Sequence, residues 1–189
     1  MAERLRLRKP ITPCTPTQNF GDDLTCVDLS TKTLCTTRLR DEACPPGFGS
    51  LYASLGLKGH NGIDLAAREG QPVYAATDGV VEKLEQETNR GLGIVIRTVD
   101  RFRFDSLPDR KLWFARTYYW HLDAFAVRKG DTVTAGQLIG WAGSTGLSSG
   151  PHLHFELKPV KRGITGRFSK AFPQNGYFGA VDPSPYLTD

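Results

Sequence analysis

Gly150-Pro151-His152-Leu153-His154-Phe155-Glu156-Leu157 decides how this chain is read. The run is apolar and aromatic behind a Gly-Pro turn, which predicts a short strand. Along a strand, residues i and i+2 face the same way. His152 and His154 therefore stand side by side, while Leu153 and Phe155 point into a core on the other face. Two imidazoles held at that spacing suit metal binding or proton transfer.

Outward from this strand the same texture recurs. Residues 71–76, 79–84 and 93–99 are short β-rich runs separated by Asp-Gly and Gly-x-Gly breakers. Residues 111–121 form a longer strand candidate with Trp113, Phe114, Tyr118, Tyr119 and Trp120. Residues 133–141 are another, broken by Gly136. Many short strands with almost no helix predict an all-β barrel or sandwich. Residues 100–116 insert a stretch in which basic and aromatic side chains alternate. It reads either as a hairpin that grips a substrate or as a surface hairpin with one apolar face. Residues 1–45 are rich in Thr, Cys, Pro and charge and show no sustained helical or alternating pattern except at residues 24–29. They read as an irregular, cysteine-containing N-terminal arm. Cys44-Pro45-Pro46-Gly47-Phe48-Gly49 is a rigid boundary, so residues 46–189 form the β domain.

Composition narrows the function classes. The 189 residues are 39% hydrophobic and 23% charged, the balance of an ordinary globular chain. Twenty glycines and twelve prolines favour turns over long helices. No apolar run reaches the roughly 20 residues that span a bilayer, so no membrane span is expected. The N-terminal ten residues are basic but no apolar stretch follows, so they do not read as a Sec signal. The net charge is +4, and Lys158, Lys161, Arg162, Arg167 and Lys170 follow one another with no acid among them. A solvated face or a surface matched to an anionic polymer is the reading adopted, and no nucleic-acid partner is expected. Cys14, Cys26, Cys35 and Cys44 show no Cys-x-x-Cys spacing and have no histidine nearby, which argues against a zinc finger. Two disulfides are expected instead, and with them an oxidising compartment.

The remaining histidines lie in Gly59-His60-Asn61-Gly62-Ile63-Asp64-Leu65 and Tyr119-Trp120-His121-Leu122-Asp123. Catalytic zinc commonly takes three protein ligands and keeps a fourth position for water. His60 and Asp64 are four apart, with Gly62 between them to let the backbone turn. His154 is the natural third ligand, which leaves His152 beside the metal and His121 as a second free imidazole. Strand alternation by itself does not choose between His152 and His154. Amide hydrolysis needs a group that takes a proton from water and returns it to the leaving amine, and imidazole suits that near neutral pH. The helical His-Glu-x-x-His motif is absent.

Five stretches together resemble the M23 (lysostaphin/LytM-type) peptidase family. They are residues 59–66 with 70–81, Tyr118-Tyr119-Trp120-His121-Leu122, residues 129–140, residues 143–156 and Val181-Asp182-Pro183-Ser184-Pro185-Tyr186-Leu187. The likeness covers residues 48–189 in the family's order. It implies an antiparallel β-sheet groove of the duplicated-hybrid-motif type with one zinc ion on its floor. It implies His60, Asp64 and His154 as metal ligands and His121 and His152 as the catalytic pair. The activity implied is a zinc metalloendopeptidase that cuts the stem or cross-bridge of bacterial peptidoglycan. The alternative is a non-catalytic module of the same family that binds the wall or regulates another hydrolase. A lipoyl- or biotinyl-type carrier lacks its acceptor lysine here. The implied location is extracellular, in the cell envelope or on a phage virion. The arm matches nothing in the family's core, so it is expected either to dock a protein partner or particle, or to hold the enzyme latent.

Overall fold

In the computed structural model, the described residues are 4–28, 30–31, 34–37, 43–107, 111–170, 172 and 175–189, with backbone alone for 35–37. Almost everything regular is strand. The main sheet runs Thr132–Val133, Gly79–Glu87, Gly91–Arg97, Leu112–Phe125, His152–Arg162, Ile63–Ala66 and Pro16–Gln18. Each neighbouring pair is antiparallel. Leu138–Ala142 pairs with the far end of Leu112–Phe125 and with Pro72–Tyr74. The predicted all-β architecture is the one observed, with the break at Gly136 separating Thr132–Val133 from Leu138–Ala142.

Alternation on His152–Arg162 sorts the two faces as the sequence requires. Leu153, Phe155 and Leu157 are fully buried in one core with Ile63, Leu65, Ile94 and Tyr119. Burying each such side chain stabilises the fold by about 1.5–3 kcal/mol. The other face carries His152, His154, Glu156 and Lys158, flanked by Tyr118 and Trp120 through the register Tyr118↔Glu156 and Trp120↔His154. This second face is the floor on which the functional residues stand.

The arm adds Pro16–Gln18 to one edge of the main sheet and its other strands to two smaller sheets. Leu5, Leu7 and Ile11 are buried in the main core, and Leu7–Arg8 pairs in parallel with Leu187–Thr188. Thr25–Asp28, Leu34–Thr37 and Phe48–Ser50 form a separate three-stranded sheet. Cys26 is bonded to Cys44. Cys14 is a free thiol, half-buried against the main core, so it does not take part in the second bridge expected from the sequence. The side chain of Cys35 and residues 38–42 of the arm lie outside the described residues. Ser50 caps the short helix Leu51–Ser54, its Oγ accepting from the Ala53 N–H at 3.0 Å.

The 100–116 insertion forms a hairpin in which Phe102 faces Trp113. Phe104 is buried edge-on to Tyr186 at 5.6 Å, so the apolar face packs inward. Residues 108–110 lie outside the described residues. No described residue of the insertion lines the cavity over the functional face.

Candidate metal centre

Antiparallel register sets Asp64 directly opposite His154, and the Ile63–Ala66 strand follows at once on the loop that carries His60. Three donor atoms converge. His60 Nε2 lies 2.8 Å from His154 Nδ1 and 3.2 Å from Asp64 Oδ1, and His154 Nδ1 lies 2.9 Å from the same oxygen. A tetrahedral zinc with bonds of about 2.0–2.1 Å separates its ligand atoms by roughly 3.3 Å, so the set is close to the required spacing.

The surrounding hydrogen bonds fix which atoms face inward. His60 Nδ1 donates to the Asn19 carbonyl at 3.1 Å, which leaves Nε2 as a lone pair. His154 turns its Nε2 towards Glu156 Oε1, 3.3 Å away, and its Nδ1 towards the other two donors. Two imidazole lone pairs and a carboxylate thus meet in one small volume. They need a cation between them, either a proton on His154 or a metal, and the donor set fits zinc.

Electrostatics reinforce this. Burial by itself would raise the Asp64 carboxyl, but His60 and His154 outweigh it and hold it well below the usual carboxylate range. Burial would lower His154, but the hydrogen bond to Asp64 and the nearby Glu156 outweigh that and raise it to about 9. Glu156 is fully buried, and Lys158, His154 and Arg90 keep it ionised against the effect of burial. Its second oxygen is paired with Lys158, which is only 2% exposed and sits 4.4 Å over the Tyr118 ring. Lys158 is therefore part of the site's foundation and not of a solvated basic face. Arg90 stacks 4.5 Å over Trp120 and reaches Glu156 Oε1 at 3.4 Å.

His121 reaches the same space by an irregular route. Simple alternation from buried Trp120 would send it into the main core. Its φ of +62°, with register shifts on both sides, turns it back onto the functional face. Its N–H donates to the Arg90 carbonyl at 3.1 Å, and its Nδ1 donates to the Thr145 carbonyl at 2.7 Å. Nε2 is left as the free nitrogen. Burial, then the charges of His152 and His154, push this imidazole down to about 4, so it is neutral at pH 7. His152 mirrors it. Its Nδ1 donates to the Gly150 carbonyl at 2.8 Å, and its Nε2 lies 3.7 Å from Asp64 Oδ1. The two rings are 4.5 Å apart between centroids.

All five residues singled out from the sequence line one cavity of about 670 Å³. Those that sequence reasoning missed act through the backbone or from below. The Asn19 carbonyl belongs to an arm with no periodic signal, and Glu156 reads as an ordinary polar strand residue. Gly62 has a visible reason: a Cβ there would lie 2.9 Å from His154 Cε1 and Nε2 and 2.5 Å from the Phe155 carbonyl oxygen.

Two histidines and a carboxylate converging on one centre beside a β-sheet floor, with two more imidazoles nearby, make a candidate metal site. The family model described as Peptidase family M23 matches residues 58–165, and the chain belongs to that family. It is 38% identical over 143 residues to glycyl-glycine endopeptidase ALE-1 of Staphylococcus capitis, covering 75% of this chain and 33% of that protein. It is 39% identical over 98 residues to peptidoglycan DD-endopeptidase ShyA of Vibrio cholerae, covering 52% of this chain and 20% of that one. A crystal structure of a zinc-containing peptidase from Vibrio cholerae superposes with a TM-score of 0.56 at 27% identity, covering 96% of this chain and 41% of the other. The chain thus spans a third or less of these two relatives' length. Among the described residues no helix is long and apolar enough to cross a membrane.

Proposed function

We propose that the chain is a zinc-dependent endopeptidase that hydrolyses peptide bonds in the stem or cross-bridge of bacterial peptidoglycan, acting at the cell envelope or from a phage particle. The observation that carries this is the convergence of His60 Nε2, Asp64 Oδ1 and His154 Nδ1 within 3.2 Å of one another, with His121 and His152 lining the same cavity. The names of ALE-1 and ShyA support endopeptidase action and a wall substrate.

In this reading His60, Asp64 and His154 hold the zinc. When bound, zinc polarises a carbonyl and lowers the pKa of a water to about 7. The protein's own residues move the protons. Neutral His121, its tautomer fixed by Thr145, accepts the proton of the attacking water at Nε2. His121 returns that proton from Nε2 to the leaving amine, and His152, held through Nδ1 by Gly150, turns Nε2 towards the reacting carbonyl, where as an imidazolium it donates to the oxyanion. The groove walls orient the peptide across both imidazoles and exclude bulk water.

Purified peptidoglycan digested with metal-stripped and with zinc-restored protein, followed by mass spectrometry of the soluble muropeptides, tests the reading. New peptide termini are expected only after zinc is restored. A zinc-loaded protein that binds the wall and releases no new termini would instead be a non-catalytic module.

A further inference from the structure

Two walls flank the cavity over the donor cluster. Sheet order places the turn between Gly79–Glu87 and Gly91–Arg97 on one side of the His152–Arg162 strand and the arm on the other. The turn side carries Glu87, Asn89 and Arg90, with Leu147 beside Asn89. The other side carries Leu24, Leu34, Leu51 and Leu55 together with Thr17, Gln18 and Thr25, and Phe178 also lines the cavity. Leu55 and Phe178 remain 37% and 39% exposed. Leu24 and Leu34 belong to the arm, and Leu51 and Leu55 to the short helix and its C-cap that follow it. They stand on or beside the small sheet and helix next to the Cys26–Cys44 bridge.

Apolar surface in a cleft that also holds the donor cluster rewards a ligand whose own apolar groups leave water there. A glycine-only peptide has no side chain to offer it. We infer that the leucine wall is a side-chain subsite that selects peptides carrying an apolar side chain next to the scissile bond over all-glycine peptides. This rests on the hydrolase reading above and names its substrate class. The occupant is the substrate itself, because the wall and the donor cluster line one cavity.

The test uses the full zinc-loaded chain and a set of synthetic pentapeptides. One is all glycine, and the others carry a single alanine or leucine, in either configuration, at each position in turn. Cleavage is followed by chromatography and mass spectrometry. For alanine or leucine at one position flanking the cut, kcat/KM is expected to exceed the all-glycine value by roughly tenfold or more, the discrimination apolar pockets give. Leu55→Asp, with Leu55→Ala as a milder partner, should erase most of that ratio mainly through KM while zinc content stays at one per chain. All-glycine cleavage as fast as the best substituted peptide would overturn the inference, as would an unchanged ratio in both Leu55 variants. If zinc is bound and neither the peptides nor peptidoglycan is cut, the hydrolase reading fails and the subsite with it. Cleavage with the wrong preference overturns the subsite alone.

Discussion

Replacing Gly62 by alanine should weaken zinc binding without touching a ligand. The added Cβ would sit 2.5 Å from the Phe155 carbonyl oxygen and 2.9 Å from Cε1 and Nε2 of His154. Non-bonded carbon contacts settle at about 3.5–4.0 Å, so something must retreat by more than half an ångström. The Phe155 backbone is held in the ladder opposite Ile63. The ring of His154 is therefore the part that gives, and it carries the third donor atom. Overpacking of this kind costs about 1–3 kcal/mol. If that strain falls on the metal-bound arrangement, the dissociation constant for zinc rises roughly 5- to 150-fold. Competition against a chromophoric chelator measures the affinity, and thermal melts of metal-free and loaded protein show where the strain falls. Zinc affinity within twofold of the parent, with both melts unchanged, would refute the placement of His154 against Gly62.

Three further outcomes follow from the geometry. His121→Ala should keep its zinc and lose activity by about 10²- to 10⁴-fold, the usual worth of a positioned acid or base; metal analysis beside peptidoglycan turnover checks both halves. In the metal-free chain His154 titrates at about 9, above its ordinary 6.5, so its proton stabilises the fold below about pH 6.5 and that contribution fades as pH rises through about 9. Zinc must displace this proton, so calorimetry at pH 7 in buffers of different ionisation enthalpy should show release of about one proton on binding. Glu156→Leu should destabilise the fold by about 3–5 kcal/mol, because it leaves buried Lys158 without its partner; denaturant titration reads this, and Lys158→Met in the same background should recover part of it.

The fold was legible where local pattern and long-range packing agree. Alternation in residues 152–157 placed Leu153 and Phe155 in the core and the histidines on the other face, and both placements hold. His121 was legible from the residues as a spare imidazole, but its place beside the cluster came only through the family resemblance. Its position depends on a bulged, positive-φ backbone that alternation cannot anticipate. Lys158 looked like one of a run of surface cations, because composition counts charges and not the buried Glu156 beneath them. The arm was the least legible part. Its strands pair with residues far away in sequence, so Asn19 at His60 and Leu34 at the cavity left no periodic trace.

Zinc stoichiometry of His154→Ala and His152→Ala, purified in parallel and measured by elemental mass spectrometry, tests the division of labour at the site most directly. The geometry places His154 Nδ1 within 2.9 Å of both other donors and His152 Nε2 3.7 Å from Asp64. His154→Ala should therefore be empty, and His152→Ala should retain close to one zinc per chain while cutting no peptidoglycan. An empty His152→Ala beside a loaded His154→Ala would contradict the account.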